Sequence, residues 1–348
     1  YEKSANFFKR LNGLESSHAN FSVKYLYSLV NSGNIKKAVD YSKKLEKQKK
    51  DIFESQLILG IFHLKNSDWE LAQKYFLKAR TFDPRFNLNK YLSNSLYNWA
   101  NLESSDLIQA TSDLKKLDKR FDNLKKIQNI FLNCYYNSST TSNLFKELLS
   151  NKKTDFSRYN YFYATFAFNN GNINKAKEII NSALELYPRN LLLNQYKLNL
   201  NEGDNTSNFN CKNKKHNIAE ILYVTSNALS SQSIFPLSDY YLNLAKYLNQ
   251  DFHSYDTLLA ENFYNVSNFV EAKKVYRNLG SKGKAFHWFS SKQLARIYVQ
   301  EDNKEQALKL LSRAYKDLAS KGVYETFDYA EFLKNNEKFE ESIFHYDK

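Results

Sequence analysis

Residues 53–86 read FESQLILGIFHLKNSDWELAQKYFLKARTFDPRF, and this stretch decides the fold. Leu59 and Gly60 fall mid-helix, Ala72 follows twelve positions after Gly60, and Phe76, Ala79 and Pro84 complete the series. Apolar residues recurring at helical spacing predict two helices folded against each other. Small residues at Gly60 and Ala72 let the pair approach closely, with Phe76 filling the gap between them. Pro84 stops the second helix, because proline has no amide to continue the ladder.

The same frame returns from Ser157, where Tyr163-Ala164, Ala176, Ile180, Ala183 and Pro188 occupy the equivalent places and Asn170-Gly171-Asn172 makes the turn. Weaker copies begin at His253 (Leu259-Ala260, Phe263, Ala272, Tyr276) and at Trp288 (Leu294-Ala295, Tyr298, Ala307, Leu311, Ala314). Starts at Ala19 and Ala219 also fit, each 34 residues before the next start, at Phe53 and His253. Between 87 and 151 the helical period persists while the signature residues fade, which predicts two degenerate pairs, over 87–117 and 119–149. Residues 201–217 lose the period and carry Lys212, Lys214 and Lys215; they predict a loop between one sub-array over 1–200 and another over 218–348. A last frame opens near Val323 and runs out at Lys348 before its second helix is complete, so further chain is expected beyond it. Residues 1–14 are expected to form the second helix of an earlier unit.

A 34-residue period with this placement of small, aromatic and proline residues resembles the tetratricopeptide repeat. The resemblance implies an all-α fold, a right-handed α-α superhelix in which the first helix of each pair lines a concave groove. It also implies a non-catalytic scaffold that holds a peptide or a partner helix in that groove. Positions 2, 5, 9 and 12 of each frame would face the ligand. In the N-terminal half these include Tyr27, Leu57, Ile61, Tyr161, Thr165 and Phe168; in the C-terminal half they include Tyr223, Asn227, Tyr264, Lys292 and Arg296. Asn227, Lys292 and Arg296 resemble part of the carboxylate clamp of some tetratricopeptide domains, in which cations hold a peptide's terminal carboxylate. The match is partial: Tyr223 stands where that clamp has Lys, and Glu261 where it has Asn, so Glu261 would repel a carboxylate or pair with Arg296. The run from Ala219 to Ala245 is also similar to exported bacterial tetratricopeptide proteins of unassigned role, which implies a bacterial cell-envelope, periplasmic location over a cytoplasmic one.

Composition agrees with packed helices. The 348 residues hold 8 Gly and 3 Pro against 26 Tyr and 26 Phe, so breakers are few and large side chains many. No run approaches the roughly 18 apolar residues of a membrane span. A net charge of +13 favours acidic surfaces, and its ordinary reading is a lysine-rich solvated exterior. It also raises the alternative of an RNA-binding helical-repeat protein; pentatricopeptide proteins stack helix pairs at nearly this period. The small-residue frame with Pro84 and Pro188 favours the tetratricopeptide class.

Nothing in the sequence predicts an enzyme. The six histidines make no HExxH or other metal-ligand spacing, and no GxGxxG, Walker loop or GxSxG elbow is present, so neither cofactor nor metal is expected. Cys134 and Cys211 stand 77 positions apart, without the spacing of a zinc site or a disulfide framework. The absence of Met has no physical account.

Overall fold

A computed structural model describes residues 1–11, 18, 20–82, 87–151, 153–203 and 207–347. Among these residues all regular structure is helical. In chain order the α-helices are α1 (Glu2–Arg10), α2 (Phe21–Asn31), α3 (Ile35–Lys47), α4 (Phe53–Lys65), α5 (Trp69–Ala79), α6 (Asn87–Ala100), α7 (Leu107–Lys115), α8 (Asp122–Tyr135), α9 (Thr141–Leu149) and α10 (Tyr159–Asn169). They continue as α11 (Ile173–Leu186), α12 (Leu191–Glu202), α13 (Lys214–Ser230), α14 (Phe235–Leu248), α15 (Ser254–Asn265), α16 (Phe269–Gly280), α17 (Lys284–Gln300), α18 (Lys304–Lys316), α19 (Val323–Asn335) and α20 (Phe339–Tyr346).

The frame of 53–86 becomes the α4–α5 pair. Ala72, Phe76 and Ala79 are buried, and a methyl group added at Gly60 would stand 2.4–2.9 Å from ring atoms of Phe76. Glycine is therefore required for the close approach that the sequence predicts. Pro84, Phe86 and Ala19 lie outside the described residues. In the second full copy Pro188 directly follows Tyr187, the residue that caps the end of α11.

The turn inside the pairs other than α6–α7 repeats as faithfully as the core. Gly33 and Ser67, Asn137 and Gly171, and Ser233 and Ser267 all have positive φ, and each couple is 34 residues apart. Asp302 and Glu337 take the same conformation in the next two turns. One left-handed residue reverses the chain, and in several turns the next side chain then caps the second helix. Asp68 accepts from the Leu71 amide at 3.3 Å, Asn172 from Lys175 at 2.9 Å and Asn303 from Gln306 at 3.2 Å.

The two faded pairs are present as α6–α7 and α8–α9, and buried polar groups tie their first helices together. Trp99 Nε1 donates to Gln128 Oε1 at 3.1 Å, while Gln128 Nε2 donates to the Tyr91 hydroxyl at 2.7 Å and to Ser95 Oγ at 3.1 Å. A buried amide with every group satisfied can replace small-residue packing, and the apolar signature is then free to drift.

The described residues divide into two compact units. Unit 1 comprises Tyr1–Ser150 with Asn208–Phe252, so it holds α1–α9 and α13–α14; unit 2 comprises Asn151–Ser207 with His253–Lys348, holding α10–α12 and α15–α20. The passage from Ser207 to Asn208 falls within the predicted loop of 201–217. The passages at 150/151 and 252/253 have no loss of periodicity to mark them.

In unit 1 the α13–α14 pair folds back onto the array: α14 packs on α2 and α4, and α13 on α6 and α8. These four are all first helices of their pairs. The same return brings together the two cysteines that no sequence spacing pairs. Cys134 of α8 and Cys211 form a disulfide with Cα atoms 5.9 Å apart. In unit 2, α12 likewise packs on α17, a first helix.

Candidate functional site

Unit 2 carries a solvent-facing strip of cations and aromatic rings across three successive first helices, α15, α17 and α19. At one end the Arg296 guanidinium lies 3.9 Å from the centre of the Tyr264 ring, close enough for a cation–π contact. Its Nη1 is 3.9 Å from Glu261 Oε1, and the side chain remains 50% exposed. Glu261 also accepts from the Tyr276 hydroxyl at 3.2 Å. Burial and this neighbouring carboxylate push the Tyr276 hydroxyl well above the ordinary tyrosine range, so it stays protonated and donates.

One turn earlier on α17, Lys292 pairs with Asp328 of α19. Asp328 also accepts from Arg189 Nη1 at 2.8 Å, and Arg189 spreads over the half-exposed rings of Tyr324 and Phe327 at 5.3 and 5.8 Å. Three cations thus face two carboxylates. The surplus positive charge arises at Asp328, which two cations share, while Arg296 has Glu261 as its one carboxylate neighbour, at a distance too long for a hydrogen bond.

The structure separates the predicted groove residues. Tyr264, Lys292 and Arg296 gather in this strip, and Phe168 is half-buried elsewhere in unit 2. Tyr161 and Thr165 are buried: Tyr161 packs edge-on against Tyr196 of α12 at 4.9 Å, and the Thr165 hydroxyl donates to the Phe162 carbonyl of its own helix at 2.9 Å. In unit 1, Leu57 and Ile61 are 0% and 1% exposed. Tyr27 donates to Glu54 Oε1 at 3.2 Å and lies against Tyr240 of α14 with ring centres 4.7 Å apart. Tyr223 is half-buried and Asn227 exposed, both on α13 of unit 1. Of the partial clamp, Lys292 is engaged by Asp328, and Glu261 takes up the internal pairing with Arg296 that its position allowed.

Four members of the strip escaped the sequence reading: Arg189, Tyr324, Phe327 and Asp328. For two of them a signal existed. Counting from Val323, Tyr324 and Phe327 stand at positions 2 and 5 of the last frame, both groove positions, and position 5 is the place that picked out Lys292 in the frame before. Arg189 lies in the turn between α11 and α12 and Asp328 falls off the groove positions, so no repeat position marks either.

The chain is an array of tetratricopeptide-like helix pairs. That assignment rests on its own helix pairing and on the 34-residue recurrence of core and turn. No protein-family model matches the sequence, and no curated protein matches it. Among solved structures, yeast Tom70 is similar at 14% identity over 96% of this chain and 84% of that one, with a TM-score of 0.30. The human IFIT1 dimer with m7Gppp-AAAA is similar at 14% identity over 98% and 84%, with a TM-score of 0.28. The tetratricopeptide domain of P58(IPK) is similar at 16% identity over 85% and 91%, with a TM-score of 0.24. Among the described residues no helix is long and apolar enough to cross a membrane, and no three His, Cys, Asp or Glu side chains gather as a metal site.

Proposed function

We propose that the protein is a non-catalytic interaction scaffold that captures a segment of a partner protein on the α15–α17–α19 strip of unit 2. The observation that carries this reading is Arg296: a half-exposed guanidinium already oriented by the Tyr264 ring, with no carboxylate at hydrogen-bonding distance. A preoriented arginine loses little freedom on binding and offers a planar fork of donors, and arginine and tyrosine dominate energetic centres of interfaces. The ligand that fits is a peptide or helix end presenting a carboxylate to Arg296 and apolar side chains to Tyr264, Tyr324 and Phe327.

The test immobilises wild type beside an Arg296→Ala/Tyr264→Ala variant, passes cell extract over both, and identifies what each retains. Defined polypeptides held by wild type and reduced at least tenfold on the variant support the scaffold. Nucleic acid retained equally by both and released by moderate salt would instead support the RNA-binding alternative drawn from the net charge.

A further inference from the structure

The α13–α14 pair of unit 1 makes contacts unlike those of a pair in line. A stacked repeat touches its neighbours in sequence, through apolar and small residues such as Ala72 and Phe76. The α13–α14 pair instead lies across α2, α4, α6 and α8, the face on which a tetratricopeptide-like array would receive a ligand. Buried apolar and aromatic side chains such as Leu57, Ile61 and Tyr240 meet there, and several polar bonds cross between the pair and the array. Asn31 Nδ2 donates to the Pro236 carbonyl at 3.1 Å, and the Tyr240 hydroxyl donates to the Glu54 carbonyl at 3.4 Å. Lys65 Nζ reaches the Leu248 carbonyl in the last turn of α14 at 3.4 Å, where a cation suits the negative end of the helix. Beside the face, Lys214 at the start of α13 pairs at 2.8 Å with Glu103 in the turn after α6 and lies 3.6 Å from the centre of a ring of Trp69, the first residue of α5.

Asn31, Lys65 and Glu103 are polar side chains that water can serve in place of these bonds, and an apolar centre flanked by polar groups is the anatomy of a protein–protein interface. The covalent link lies at the entry to the pair: Cys211 stands three residues before α13 and is joined to Cys134 of α8. We propose that α13–α14 is an intramolecular ligand of the face formed by α2, α4, α6 and α8, that the Cys134–Cys211 disulfide keeps it seated, and that the face binds an amphipathic helical hairpin of this type. Tethering raises the effective concentration of the pair, so an external hairpin cannot compete while the disulfide is intact. The proposal concerns unit 1 alone and stands whether or not the strip of unit 2 binds a partner.

The test adds a labelled synthetic peptide spanning residues 208–252, with Cys211→Ser, to the full chain in its oxidised form and to a Cys134→Ser/Cys211→Ser variant, reading fluorescence anisotropy. The proposal expects saturable binding to the variant, at least 100-fold weaker binding to the oxidised wild type, and a tenfold or greater loss when the peptide carries Tyr240→Ala. In the same variant, amide exchange in α13 and α14 should rise at least tenfold over that in α3 and α5. A variant that keeps its helical circular dichroism yet takes no peptide and exchanges as wild type overturns the proposal. Should the double variant fail to fold, exchange in a disulfide-intact Asn31→Ala/Lys65→Ala variant decides instead: a rise confined to α14 supports the seated-ligand reading, and an equal rise across α2–α9 sinks it.

Discussion

At the scale of the residue, Gly60 shows how closely one side chain can be specified. The Phe76 ring occupies the volume a β-carbon would need, and the ring is itself fully buried, so neither group can move aside without disturbing the α4–α5 contact. Overpacking of this kind costs about 1–3 kcal/mol. Gly60→Ala is expected to lower stability by that amount in urea titrations, and Gly60→Ala combined with Phe76→Leu to recover part of the loss because the smaller side chain frees the site. An unchanged midpoint in the single variant would mean that the α4–α5 contact yields to the added methyl group. This contact was legible in the sequence because both partners lie in one frame, sixteen residues apart. The turn residues were less so. Gly33 and Gly171 announce a positive φ, but Ser67, Ser267 and Asp302 adopt the same conformation without glycine, and only the periodicity of the backbone reveals them.

At the scale of the element, the helices and their pairing follow from the apolar period, whereas what covers the first-helix faces does not. Tyr27, Leu57 and Ile61 occupy places in the frame that point towards a ligand, and frame positions say nothing about whether that ligand belongs to the same chain. At the α2–α4–α14 junction the Glu54 carboxyl is largely withdrawn from water, and among the described residues no cation pairs with it. Burial raises the pKa of Glu54 above its ordinary value of 4.5, against the opposing effect of hydrogen bonds from the Tyr27 hydroxyl and its own backbone amide. A raised value in the folded state means that folding binds the proton more tightly. Its stabilising effect is full below pH 4.5 and is lost as pH rises through the folded value. Glu54→Gln keeps an acceptor for Tyr27 and removes the charge. Its melting temperature should exceed that of wild type at pH 7, and the difference should shrink as the pH is lowered towards 4.5. A variant less stable than wild type at neutral pH would show that the ionised carboxylate is the form the junction prefers.

At the scale of the whole molecule, loss of periodicity shows where helices stop, but it carries no information about which remote helices a segment will pack on. Helices α10–α12 and α13–α14 are therefore indistinguishable in the sequence as members of one unit or the other. Even the disulfide, the one covalent statement of this return, joins cysteines whose spacing matches no pairing rule. In a simple solenoid each repeat would couple only to its neighbours and unfolding could spread along the array. Here α13–α14 ties four pairs of unit 1 together at once and the disulfide closes the tie, so unit 1 should melt as one cooperative block, distinct from unit 2. Calorimetry is expected to resolve two transitions, each shifted by a substitution in its own core. Gly60→Ala should lower one of them, at about 2–4 °C per kcal/mol for blocks of this size. Tyr315→Ala, which removes a buried ring stacked at 4.3 Å on Tyr329 of α19, should lower the other by more, since truncating a buried aromatic costs about 3–5 kcal/mol. If both substitutions instead displace a single transition together, the two units are one cooperative system, and destabilising either of them would open the α2–α8 face and the α15–α19 strip at the same temperature.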